Sequence, residues 1–306
     1  VRISPKQSRS VKKSWLSALV AVPVVAMLAG CAGGSNEAAT GTEDDVIKIG
    51  VVGASDPYWD IYQEAAAAEG ISIELVDFAE YQQLNPSVTE GELDMNQFQH
   101  LVFLADYNVS SGSDLVPIGS TVIYPLGLYS TEYDGLDEIQ EGDTVAVPND
   151  ATNLARALLL LQAEDLITLD GGGTNLSGLD DIDEENSKVT VTALEASLTA
   201  ASLADVAAAV INNDFVEKAG LTFEGALAAD DPTDADAFAY INVFASRAED
   251  KDNETFLKLI EIFQTNQDVQ DGLMAVSGDT AVPLVATTAE LEESLAGVTA
   301  DVEAAK

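Results

Sequence analysis

The chain has 306 residues but one cysteine, one histidine and very little positive charge. Each shortage removes a class of chemistry. A lone cysteine, Cys31, closes no disulfide within the chain and builds no thiolate metal site. The lone histidine, His100, follows Asn96-Gln97-Phe98-Gln99 and no serine elbow, so a Ser-His-Asp arrangement has little to stand on. Neither G-x-S-x-G nor H-E-x-x-H occurs. Gly171-Gly172-Gly173 lacks the lysine that follows in a phosphate loop. Acidic residues are everywhere, so a two-carboxylate glycosidase is not excluded by counting, yet nothing distinguishes any pair. These absences nominate no catalytic residue, no metal and no cofactor. The expectation is a protein that is not an enzyme, with a surface hydrolase or an adhesive, structural lipoprotein as the competing readings.

The scarcity of positive charge is sharper still. Arg2, Lys6, Arg9, Lys12 and Lys13 all precede Cys31; the rest of the chain sets 8 Lys and Arg against 53 Asp and Glu. Such a body cannot replace the counterions around phosphates, which excludes nucleic acid as a partner. It gains nothing from anionic lipid headgroups either. The acid reads as a solvated surface that keeps the protein soluble. After Cys31 only Arg156 and Arg247 remain as arginines, so an anion held by a guanidinium has two candidate sites.

What is present begins with a leader. Residues 1–13 are basic, and Trp15 to Gly30 is an apolar run interrupted by Pro23. That run falls short of the roughly twenty residues of a membrane span and suits a signal peptide. It ends in Leu28-Ala29-Gly30-Cys31, which looks like a bacterial lipobox. Residues 1–30 are thus expected to be removed, leaving Cys31 as the lipidated (palmitate-bearing) N-terminus. Residues 31–45 read as a flexible polar tether. The body is then expected on the extracytoplasmic face of the cell membrane, held by lipid.

Hydrophobic content of 47% supports one large or two medium domains with real cores. The pattern predicts strands over 46–53, 71–76, 115–118 and 121–128, and helices over 56–69, 84–90 and 101–107. This alternation marks a parallel-rich α/β sheet with helices on its faces. A second α/β unit starts at Val145, with strands over 188–194 and 207–211 and a short helical turn over 202–206. The run 238–246 reads as a strand, 253–264 as an amphipathic helix and 288–305 as a further helix. No repeat of roughly twenty to fifty residues is visible. The segment 165–187 holds Gly and Asp runs, but their spacing does not match an EF-hand loop, so a solvated loop is favoured over a cation site. Two lobes are expected, at 46–125 with 245–306 and at 126–244. Segments 121–130 and 238–247 would be the two hinge crossings, and the ligand would sit between the lobes.

The most informative stretch is Val145 to Leu161. It reads as a buried strand, a Pro148-Asn149-Asp150 turn and a helix capped by Asp150 or Thr152. Leu154, Ala157, Leu158 and Leu161 share one face. Arg156 lies off that face, in or near the first turn, where a cation opposes the helix dipole. An anionic ligand gripped by two parallel hydrogen bonds would convert this cost into a gain. Pairing with Asp150, or solvent exposure, is the alternative. Phe98 and His100, two apart, point the same way if that stretch is extended. Tyr81 and Phe103 add aromatic surface suited to an apolar or thioether chain.

With these pieces together, the chain resembles the NlpA-type methionine-binding lipoproteins of bacterial ABC importers. The resemblance is carried by LVDFAEYQQLNPSVTEGELDMNQFQH (75–100), TVIYPLGLYS (121–130), VAVPNDATNLARALLLL (145–161), ADVAAAVINNDF (204–215) and YINVFASR (240–247). It implies a two-lobed periplasmic-binding-protein-like fold of type II and capture of methionine for a permease and its ATPase by a monomer. It further implies that Arg156 holds the ligand carboxylate with Asn153 beside it. Asn212 and Asn242 bind the polar end, including the ammonium. Tyr81, Phe98 and His100 surround the thioether, with Phe103 and Tyr124 as further walls. The chain departs from the family pattern at Ala151 and Ala155, where Pro and Gly are usual. Phe103 stands in place of a Tyr, and Asp214 in place of an amide or Thr. These departures leave open another amino acid, D-methionine or a short methionine peptide as the ligand.

Overall fold

The computed structural model describes residues 39–305. The leader and the expected lipid attachment at Cys31 lie outside the described residues. In chain order the elements are β1 (Ile47–Val51), α1 (Pro57–Ala68), β2 (Ile73–Asp77), α2 (Leu84–Thr89), β3 (Met95–His100), α3 (Leu101–Ser111), β4 (Val116–Ser120), β5 (Val122–Ile123), β6 (Gly127–Tyr129), β7 (Thr144–Pro148), α4 (Ala151–Ala163), β8 (Thr190–Leu194), α5 (Ala196–Ser202), β9 (Ala208–Ile211), α6 (Asn213–Val216), β10 (Ala228–Ala229), β11 (Asn242–Ser246), α7 (Glu254–Thr265), α8 (Gln267–Val276), β12 (Val282–Pro283) and α9 (Thr288–Ala305).

Two five-stranded sheets carry the fold, in the orders β2-β1-β3-β11-β4 and β10-β6-β9-β7-β8; β5 and β12 form a small ribbon of their own. In the first sheet β1 runs parallel to β2 and β3, and β11 runs antiparallel between β3 and β4. In the second, β7 is parallel to both β8 and β9, and β6 antiparallel to β9. The chain leaves the first sheet after β4, enters the second at β6 and returns after β10 to β11.

Each sheet has its own apolar core. Around β1, Ile47, Ile49 and Val51 are fully buried with Trp59 and Tyr62 of α1 and Phe256 and Phe263 of α7. Tyr62 meets Phe263 edge-on with ring centroids 5.4 Å apart, a favoured aromatic geometry. Around β7, Val145 and Val147 pack with Ala157, Leu158 and Leu161 of α4 and Val210 of β9. The predicted helix face is therefore the packed one. Asp150 supplies the cap, its carboxylate accepting the Asn153 N–H at 2.9 Å.

Several elements differ from the sequence reading. The stretch 95–100 is a full strand, although it had no place in the predicted element order. Its polar side chains are buried because Asn85 of α2 satisfies them: Asn85 and Gln99 exchange amide hydrogen bonds at 2.7 and 2.6 Å, and Asn96 donates to Asn85 at 2.8 Å. The expected strand over 238–246 begins only at Asn242; Ala235–Tyr240 is a 3₁₀ turn. The strand expected over 121–128 is divided between β5 and β6. The helical turn expected over 202–206 lies earlier, as α5, and α8 was not anticipated. Within 165–187, Asp183 accepts from Asn186 at 2.7 Å, and among the described residues no three His, Cys, Asp or Glu side chains converge as a metal site. No described helix is long and apolar enough to cross a membrane.

Candidate functional site

The carboxyl ends of parallel strands are where open α/β sheets place ligands. Here those ends supply most of one cavity. His100 closes β3 and stands directly opposite Asn242, the first residue of β11, in the antiparallel ladder. β7 runs into α4, which carries Asn153 and Arg156 one turn apart, and Asn212 follows β9. Tyr81 opens the 3₁₀ turn before α2, and Phe103 lies in the first turn of α3. The structure brings Tyr81, Phe98, His100, Phe103, Tyr124, Asn153, Arg156, Asn212 and Asn242 onto one cavity, together with Gln99, Pro125, Leu126, Asn213 and Asp214. The space among them, open mouth included, is about 420 Å3.

Arg156 is the sixth residue of α4, beyond its first turn, and 7% exposed, so neither the dipole conflict nor solvent exposure applies. Its partner is not Asp150 but Asp230. Nε donates to Asp230 Oδ2 at 2.5 Å and Nη2 to Asp230 Oδ1 at 3.0 Å; Nη2 also donates to the Tyr124 carbonyl at 2.8 Å. Asp230 in turn accepts from Leu126 N at 2.8 Å. The Tyr240 ring lies beneath the guanidinium, 4.4 Å from Cζ to the centroid. The Nη1 edge makes no hydrogen bond to a described residue, which leaves donors for an anion in the cavity. Arg247, the other candidate, donates to the Val88 and Leu93 carbonyls and pairs with Asp250 at 2.7 Å, so it is spent on the frame of the first sheet.

Asp150 does more than cap. Its carboxylate also holds the Asn153 side-chain amide at 3.0 and 3.1 Å and the Thr152 hydroxyl at 3.0 Å. Burial pushes its pKa above the ordinary carboxylate value while these donors oppose the rise. With its amide nitrogen committed, Asn153 turns Oδ1 outward to accept from Asn212 at 3.0 Å and to face His100 Nε2 at 3.4 Å. His100 Nδ1 accepts the Phe103 N–H at 3.1 Å, capping α3, so the ring proton belongs on Nε2. Burial, then the charge of Arg156, push the His100 pKa down to about 3. The ring is neutral and held at both nitrogens, an orienting wall rather than a base.

Opposite lies the aromatic wall. Tyr81 and Phe98 have centroids 5.7 Å apart, and Phe98 meets Phe103 edge-on at 5.4 Å. Phe215 completes the cluster at 5.6 Å from Tyr81. The Tyr81 hydroxyl donates to Asp214 Oδ2 at 2.6 Å. Nearby, the side-chain oxygens of Asn212 and Asn213 are buried with no hydrogen-bond partner. Unsatisfied buried acceptors are rare and call for an explanation. Asp230, Tyr240, Phe215 and Asn213 were missed in the sequence. Asp230 comes from an acidic, Pro-containing turn with no periodic signal, and only the fold carries it to Arg156.

Comparison with known proteins places the chain in a family. The model of the family described as NlpA lipoprotein matches residues 47–284. A probable D-methionine-binding lipoprotein, MetQ, of Pasteurella multocida is 33% identical over 275 residues, covering 88% of this chain and 98% of its own. The D-methionine-binding lipoprotein MetQ of Escherichia coli is 37% identical over 227 residues, covering 72% and 82%. A nutrient-binding protein of Burkholderia cenocepacia, solved bound to methionine, superposes with a TM-score of 0.72 at 34% identity over 78% of this chain and 99% of that one. The fold is that of the periplasmic substrate-binding proteins, and the chain belongs to the NlpA lipoprotein family.

Proposed function

We propose that the protein is the substrate-binding lipoprotein of an ABC importer and that it captures methionine in the cavity described above. The observation that carries this reading is the convergence of an arginine edge, three asparagine amides and an aromatic wall on one cavity. The Arg156 Nη1 edge takes the carboxylate. Asn153, Asn212 and Asn242 face the polar end of the ligand, and the ammonium lies against the amide oxygens. Tyr81, Phe98, His100 and Phe103 enclose the thioether, whose sulfur packs well at ring edges, with Tyr124 beside them. The two sheets serve as the cores of two lobes, 46–125 with 245–306 and 126–244, which close over the ligand. Closure removes water from a zwitterion, so each of its charges requires a partner.

Lipidation at Cys31 tethers the protein, as a monomer, to the outer face of the cell membrane, where it delivers its ligand to a permease and its ATPase. The relatives named above are lipoproteins with D-methionine in their names, so both enantiomers belong in the titration.

Calorimetry of Arg156→Ala tests the site. Methionine binding should fall by at least about a hundredfold, the scale of a lost charge-assisted pair, while far-ultraviolet circular dichroism stays native. Near-parental affinity in the folded variant rejects the assignment.

A further inference from the structure

Asp214 is where this chain departs from the resemblance by adding a charge, and the structure puts that charge in the cavity wall. Its Oδ2 is anchored by the Tyr81 hydroxyl at 2.6 Å. No ion pair joins it to a cation among the described residues, whereas the acids next to the cavity are already engaged, Asp150 by Asn153 and Asp230 by Arg156. The carboxylate stands beside the two buried asparagine oxygens that lack donors. Three acceptors with no ion-paired cation thus share the cavity with the Arg156 edge, which suits the opposite charge. We propose that Asp214 is a specificity-determining residue, the counter-charge for the ligand's α-ammonium group, which makes the site select against ligands lacking a free amine.

This rests on the methionine reading above. An amide at position 214 could accept a hydrogen bond but could not neutralise an ammonium; a carboxylate does both, and charge-assisted bonds are about twice as strong as neutral ones. The groups facing Asp214 are Tyr81 before α2, Asp56 before α1, Tyr58 of α1, Tyr124 of the crossing segment, and Glu217 and Lys218 after α6. Burial pushes its pKa up to about 6, opposed by Tyr81 and Lys218 and reinforced by Asp56. The anion that attracts an ammonium is therefore half formed near pH 6, nearly complete by about pH 8 and largely lost by about pH 5.

The test is calorimetry with two probes, methionine and its desamino analogue 4-(methylsulfanyl)butanoate, between pH 5 and pH 8. For the parental protein, the preference for methionine should be greatest at pH 8 and shrink about tenfold by pH 5. Asp214→Asn should lose about ten- to a hundredfold in methionine affinity at pH 8, change little toward the analogue and flatten the pH profile. Tyr81→Phe, which removes the hydroxyl that favours the anion, should move the midpoint of the profile to higher pH. A parental preference that is independent of pH, or an Asp214→Asn protein within twofold of the parent for methionine, overturns the proposal while leaving the methionine reading in place. Absence of methionine binding by the parental protein overturns both. If Asp214→Asn does not fold, the parental and Tyr81→Phe profiles decide.

Discussion

A guanidinium removed from water is costly unless its N–H groups find acceptors. Arg156 meets that condition on one side only, through Asp230 and the Tyr124 carbonyl, and its Nη1 edge is bonded to no described residue. Asp214 is the opposite case, a carboxylate whose ionisation the empty protein resists. Its folded-state pKa of about 6 lies above the ordinary 3.8, so between these values the folded chain binds more protons than the unfolded one. The charge thus costs stability above pH 6, and the cost disappears below 3.8. Asp214→Asn should therefore stabilise the empty protein at pH 7.5 by about 1–3 kcal/mol. Thermal melts should show a higher Tm at pH 7.5 and an advantage that vanishes near pH 4. A Tm difference that grows on acidification contradicts the assignment.

At the scale of elements, α4 shows how a cap becomes part of a site. Asp150→Ala should cost about 0.5–2 kcal/mol through the lost cap. It should also weaken methionine binding although Asp150 does not line the cavity, because the Asn153 amide is set free. Asp150→Ser should recover most of the stability and less of the affinity, since one hydroxyl can accept the Asn153 N–H but cannot also hold its side chain. Chemical denaturation and calorimetry on the two variants separate the effects; equal recovery of both would reject the positioning role. The same helix was legible in the sequence, because strand, turn, cap and apolar face all carried local signals. β3 was not, because Asn96, Gln97 and Gln99 are buried polar residues whose partners, Asn85 and Thr121, come from other elements. Helix α8 was obscured by Gly272, which discourages a helix in isolation. There a Cβ would lie 2.8 Å from the Tyr58 Cβ, so the glycine permits α1 and α8 to approach. The cavity-lining residues that were named came from the motifs that carry the resemblance; Tyr240, Asn213 and Phe215 lie in those motifs and were passed over, and Asp230 lies outside them, reaching Arg156 only by tertiary return of the chain.

Over the whole molecule the 8 basic residues after Cys31 leave the acidic charge largely uncompensated. Self-repulsion of such a body works against the compact state and is screened by salt over about 10 Å at 0.1 M. Raising sodium chloride from about 0.05 M to about 1 M should raise Tm by several degrees, with the gain concentrated at the low end of the series. Scanning calorimetry of the ligand-free protein checks this, and a flat or falling Tm refutes it. The two sheets also differ in what they report. Trp59 is the single tryptophan among the described residues, sealed at 1% exposure against Tyr62 and Phe263 in the first core. In a chain lacking residues 1–30, and Trp15 with them, indole emission is an optical reporter of the integrity of that core alone, to be read beside a thermal signal for occupancy in one sample.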